Sequence, residues 1–66
     1  MGETVLAKIR IQRIILGYSQ YYLAQELKIT QSQYSRLENG VNKISREQLQ
    51  QICAILKIEN SDHDNI

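Results

Sequence analysis

Residues 19–40 read SQYYLAQELKITQSQYSRLENG, and they describe two short helices joined by a tight turn. Ser19 suits the cap of the first, because its hydroxyl can accept from an orphan backbone N–H. Leu23, Ala24 and Leu27 then share one helical face. Lys28 and Ile29 interrupt the pattern. Thr30 suits the cap of the second helix, and Gln33 three residues on completes the spacing of a reciprocal capping box. Tyr34 and Leu37 continue an apolar face. Asn39-Gly40 closes the helix, since glycine readily takes the left-handed conformation found there.

Gln31, Ser32, Gln33, Ser35 and Arg36 make up the polar face of the second helix, predicted over 31–39. Amides, hydroxyls and a guanidinium at the start of a helix can pair with base edges in a DNA major groove. By composition alone a solvated face, of the kind any surface helix carries, is the commoner reading.

The layout resembles the helix-turn-helix of the phage-repressor/Cro (XRE) family. Matching residues are Gly17-Tyr18-Ser19-Gln20, Leu23-Ala24, Ile29-Thr30-Gln31-Ser32 and Ser35-Arg36-Leu37-Glu38-Asn39-Gly40. Arg13 before them, and Ile44-Ser45 and Leu49 to Ile58 after them, extend the match. Any one fragment is weak; all of them in order and at the family's spacing are specific. The resemblance implies an all-α, lambda-repressor-like bundle of four to five short helices. It implies that Arg13 pairs with Glu38, and a buried guanidinium does need a carboxylate beside it. It implies DNA base readout from Gln31, Ser32, Gln33 and Arg36, with phosphate contacts from Gln20, Asn39, Asn42 and Lys43. Two departures stand out. Tyr22 replaces a common Glu, so Ser19 caps alone. Lys28 stands where glycine is frequent, at a cost on the order of 1 kcal/mol for a positive φ.

Sixty-six residues make one domain. The expected organisation is a domain over 1–58 and a short acidic, polar tail over 59–66. Cys53 is the single cysteine, so neither an internal disulfide nor a cysteine cluster for zinc is available. Nothing resembles a signal peptide or a membrane span, so the expected compartment is the cytoplasm, associated with the nucleoid. The net charge of +1 argues little, but its distribution is uneven. Eight basic residues precede residue 58 against four acidic ones, and Glu59, Asp62 and Asp64 then offset the excess.

The first helix is predicted from a Thr4 cap to Leu16, ended by Gly17. At about 100° per residue, Val5, Ile9 and Leu16 share one side, with Leu6 and Arg13 at its edge. Ala7, Ile11, Ile14 and Ile15 take the other side. One small core cannot cover both. In the family a further helix usually covers this one, and residues 59–66 make a poor helix. Ile11 and Ile15 are therefore a candidate dimer or partner surface, the alternative being a folded-back tail. Ser45 with Gln48 repeats the capping-box spacing. Leu49, Ile52, Cys53 and Leu56 form the inward stripe of a last helix, with Cys53 as a buried thiol and Ile58 closing the core. His63 between Asp62 and Asp64 lacks a second strong ligand and reads as solvated.

The expectation is a sequence-specific double-stranded DNA-binding module, a small transcriptional regulator of repressor type, acting as a homodimer on a two-fold site. The alternative is a protein-interaction module, such as an antitoxin or anti-repressor, using the outer face of the first helix. No catalytic set, phosphate-cradling loop, cofactor, metal or small-molecule substrate is expected.

Overall fold

In the computed structural model, which describes residues 4–58, every helix begins at a hydroxyl. α1 (Val5–Leu16), α2 (Gln20–Leu27), α3 (Gln31–Glu38) and α4 (Arg46–Leu56) follow Thr4, Ser19, Thr30 and Ser45, each in extended backbone. Their oxygens accept from the backbone N–H of Ala7, Tyr22, Gln33 and Gln48 at 2.9–3.1 Å. Gln33 and Gln48 reach back to the backbone N–H of Thr30 and Ser45, completing both expected capping boxes. At Ser19 the hydroxyl is the cap's sole side chain, because Tyr22, unlike Gln33 and Gln48, returns no bond to the cap N–H.

Three helices stop in the same way. Gly17, Lys28 and Lys57 adopt the left-handed conformation, with φ of 79°, 62° and 60°. The next residue then donates five positions back: Tyr18 to Arg13, Ile29 to Ala24, Ile58 to Cys53, at 2.9–3.0 Å. This satisfies carbonyls that a helix end otherwise leaves open. α3 closes with the same bond one residue later, Val41 donating to the Arg36 carbonyl at 2.9 Å. Asn39 keeps near-helical backbone, and Gly40 takes the positive φ of 80°. A Cβ there would sit 3.4 Å from Leu6 Cδ1, so the turn also lies close to α1.

Ile9, Leu23, Ala24, Leu27, Tyr34, Ile52 and Leu56 form the core, with Leu6, Tyr18, Ile29, Ile44, Leu49, Ile55 and Ile58 packed around it. Each of the four helices contributes, and α2 packs most extensively on α3. Gln12 Nε2 also donates to the Leu56 carbonyl at 3.1 Å, tying α1 to the end of α4. The all-α bundle expected from sequence is what forms, with four helices and no strand among the described residues. No described helix is long and apolar enough to cross a membrane.

One part of the α1 expectation needs correction. Val5 and Leu16 share a side with Ile9, yet they are 52% and 37% exposed. They lie at the two ends of the helix, beyond the span that the other three cover. The opposite side is as open as its composition implied: Ile11, Ile14 and Ile15 are 47%, 61% and 68% exposed. Cys53 is buried, and burial pushes its thiol pKa up, so it stays protonated and unreactive. Residues 59–66, with the tail and His63, lie outside the described residues.

Candidate nucleic-acid interface

α3 is oriented by its three buried residues. Tyr34, Leu37 and Glu38 face the core, at 0%, 5% and 3% exposure. At about 100° per residue the opposite side must carry Ser32, Ser35, Arg36 and the cap residue Asn39. Gln31 and Gln33 flank that row. Gln31, Ser32, Gln33, Arg36 and Asn39 are exposed, and Ser35 is half-buried. Gln31, Ser32 and Arg36 carry no side-chain hydrogen bond among the described residues, so their donors and acceptors face water. Gln33 is partly committed, because its carbonyl oxygen accepts from the Thr30 N–H at 2.9 Å. Its amide N–H groups remain.

Glu38 is the polar anchor of this arrangement. Its carboxylate is almost fully buried, and both oxygens are occupied. Arg13 donates in a fork, Nε to Oε2 at 2.8 Å and Nη2 to Oε1 at 3.0 Å. Tyr34 donates its hydroxyl to Oε2 at 2.8 Å, and Gln20 Nε2 donates to Oε1 at 3.1 Å. The third Arg13 nitrogen, Nη1, donates to the Tyr18 carbonyl at 2.9 Å. One guanidinium therefore holds the exit of α1 and the end of α3 together. Burial alone would raise the Glu38 pKa, but the bonds from Arg13, Tyr34 and Gln20 outweigh it and hold the carboxyl below its ordinary value. Burial first, and the bond to Glu38 second, raise the Tyr34 phenol pKa.

The candidate phosphate contacts fall into two groups. Asn42 and Lys43 are exposed in the loop after α3. They line a shallow groove with Ile29, Gln33, Leu37 and Gln48, between the start of α3 and that loop. Gln20 and Asn39 are less free than their positions suggested. Gln20 is half-buried, and one of its two amide N–H groups goes to Glu38. Asn39 Oδ1 accepts from Arg10 Nη2 at 3.1 Å, and Asn39 Nδ2 contacts Ser35 Oγ at 3.4 Å. Arg10 was not among the sequence candidates. It stands one turn before Arg13 on α1, so both arginines approach the same carboxylate, and that spacing was its signal. Arg10 Nε lies 3.9 Å from Glu38 Oε1.

The described residues are cationic overall. Residues 4–58 hold eight Lys and Arg against Glu26, Glu38 and Glu47, and Glu38 is already paired. No group of three or more His, Cys, Asp or Glu suited to a metal occurs among the described residues.

Two capped helices set across a left-handed turn, with the second exposing a polar row, define a helix-turn-helix domain. A helix-turn-helix family model matches residues 9–59, and the chain belongs to that family. Relatives include an uncharacterized HTH-type transcriptional regulator of Sinorhizobium medicae and another of Rhizobium meliloti. Each is 38% identical over 52 residues, covering 79% of this chain and 37% of the relative. The chain thus spans little more than a third of the length of these curated relatives. No solved structure matches it significantly.

Proposed function

We propose that this chain binds double-stranded DNA in a sequence-specific manner, as the DNA-binding part of a transcriptional regulator, and that its action is repression. The observation that carries the reading is the outward row of α3, whose readers are held rigid by buried neighbours on the same helix. Gln31 offers a bidentate amide suited to adenine. Arg36 offers a fork suited to guanine O6 and N7, and Ser32 adapts to either. Gln33 contributes through its free N–H groups. Asn42, Lys43, Asn39 and the remaining N–H of Gln20 set register on the sugar-phosphate backbone. Membership of the helix-turn-helix family and the relatives described as transcriptional regulators support the reading.

Selection from a random duplex pool at moderate salt tests it. One motif should be enriched. Gln31→Ala with Arg36→Ala should abolish the preference, each lost bidentate contact being worth about 1–3 kcal/mol of discrimination. No enriched motif, or a motif indifferent to both substitutions, would sink the proposal.

One helix of this size reads few base pairs, so a two-fold dimer on paired half-sites is part of the proposal. The exposed Ile11, Ile14 and Ile15 face supplies an apolar surface for it. The same face supports a second reading, in which α1 docks a different protein, as an antitoxin or anti-repressor would. Sedimentation with and without the selected duplex separates the two. A tight dimer that ignores all DNA favours the second.

A further inference from the structure

We infer that Arg10 is a phosphate-contacting residue, and that Asn39 positions it at the far rim of the α3 surface. The inference rests on the DNA-binding reading above and adds a residue from outside the helix-turn-helix pair.

The outward row of α3 does not stop at the helix end. Ser35 Oγ accepts from Asn39 Nδ2, and Asn39 Oδ1 accepts from Arg10 Nη2 at 3.1 Å. Arg10 Nε then lies 3.9 Å from Glu38 Oε1, the oxygen that also accepts from Gln20 Nε2. Donors from α1 and from the start of α2 thus gather around one carboxylate oxygen at the end of α3. That carboxylate is already matched by the fork from Arg13. The second guanidinium therefore leaves the cluster with one net positive charge. The Arg10 side chain is 50% exposed, against 13% for Arg13. Arg13 is the structural partner, and Arg10 is the one open to an anion.

Position agrees with chemistry. Eight residues of helix span about 12 Å, comparable to a major groove about 12 Å wide. With the start of α3 among base edges, its far end lies at the groove's edge, where the phosphates run. The bond to Asn39 holds the guanidinium on that side of the molecule, limiting the side-chain entropy lost on binding.

The test uses the full chain, the duplex enriched from the random pool, and a scrambled duplex of equal length, across a salt series. Arg10→Gln should flatten the slope of log affinity against log salt by about 0.9. It should also weaken binding roughly tenfold, as loss of a charged hydrogen bond does. The loss should be the same on both duplexes, because phosphate carries no sequence. Arg10→Lys should restore the slope, and melting curves of both variants should match the parent. An unchanged slope in Arg10→Gln, or a loss confined to the enriched duplex, overturns the role of Arg10 while the parent's own selectivity stands. A parent chain that enriches no duplex brings down the DNA-binding reading and this inference with it.

Discussion

A carboxylate that gives up nearly all of its water must be matched by donors, and Glu38 is matched by Arg13, Tyr34 and Gln20. Removing its charge leaves Arg13 confined against an amide that cannot accept a fork. Glu38→Gln should therefore cost about 3 kcal/mol, in the range for breaking one partner of a buried pair. A urea melt reads that directly. The same residue sets an acid limb. Its folded pKa lies below its unfolded one, so between the two values the unfolded chain binds more protons and stability rises with pH. The contribution is complete above the ordinary carboxylate value and disappears as pH falls through the folded value. Melting temperature should drop along that limb in the parent and stay flatter in Glu38→Gln. Equal slopes in the two proteins would remove Glu38 as the cause. The pairing of Arg13 with Glu38 was legible from the family's spacing. The second and third partners were not singled out: Tyr34 lies one turn before Glu38 on the same helix, whereas Gln20 reaches the carboxylate only once α2 and α3 have packed.

Helix boundaries were the most legible feature, because they depend on neighbours in sequence. A hydroxyl before each helix and a residue able to turn left-handed after it are local chemistry, and α1 to α4 all start where a Ser or Thr stands. Burial along α1 was less legible. Val5 and Leu16 fit the inward stripe by angle, but the length of helix that neighbours cover is a tertiary quantity. Asn39 and Gln20 show the same limit at the candidate site. Each carries the right group for a phosphate, yet each is engaged by a partner far away in sequence. At the helix ends the local logic gives a direct prediction. Lys28 and Lys57 hold left-handed backbone with a Cβ that opposes it. Lys28→Gly relieves about 1 kcal/mol of strain but adds freedom to the unfolded chain, for a net gain of about 0.5 kcal/mol. Thr30→Ala goes the other way, losing about 1 kcal/mol with the cap and capping box. In a domain of this size 1 kcal/mol is about 4–8 °C in Tm, so calorimetry separates the two signs. A lower Tm for Lys28→Gly would show that its side chain contributes more than its backbone strain costs.

For the whole molecule, the open question is what the bare side of α1 meets. The described residues bury one face of that helix and leave Ile11, Ile14 and Ile15 to solvent. Three exposed isoleucines on a helix this short are an association hazard unless a partner covers them. In the proposed regulator a second copy does so, and two α3 helices are then presented to half-sites about one DNA turn apart. Ile11→Glu with Ile15→Glu should prevent that, since a buried like-charge pair would face its symmetry mate. The double variant should keep the fold, because neither side chain belongs to the core. Sedimentation should shift from dimer to monomer. Binding to a duplex carrying two half-sites should fall to the level seen with one, while single-site binding changes little. If the parent already sediments as a monomer on the two-fold duplex, α1 is not the dimer surface. If the double variant loses single-site binding as well, its effect comes through the fold rather than through assembly.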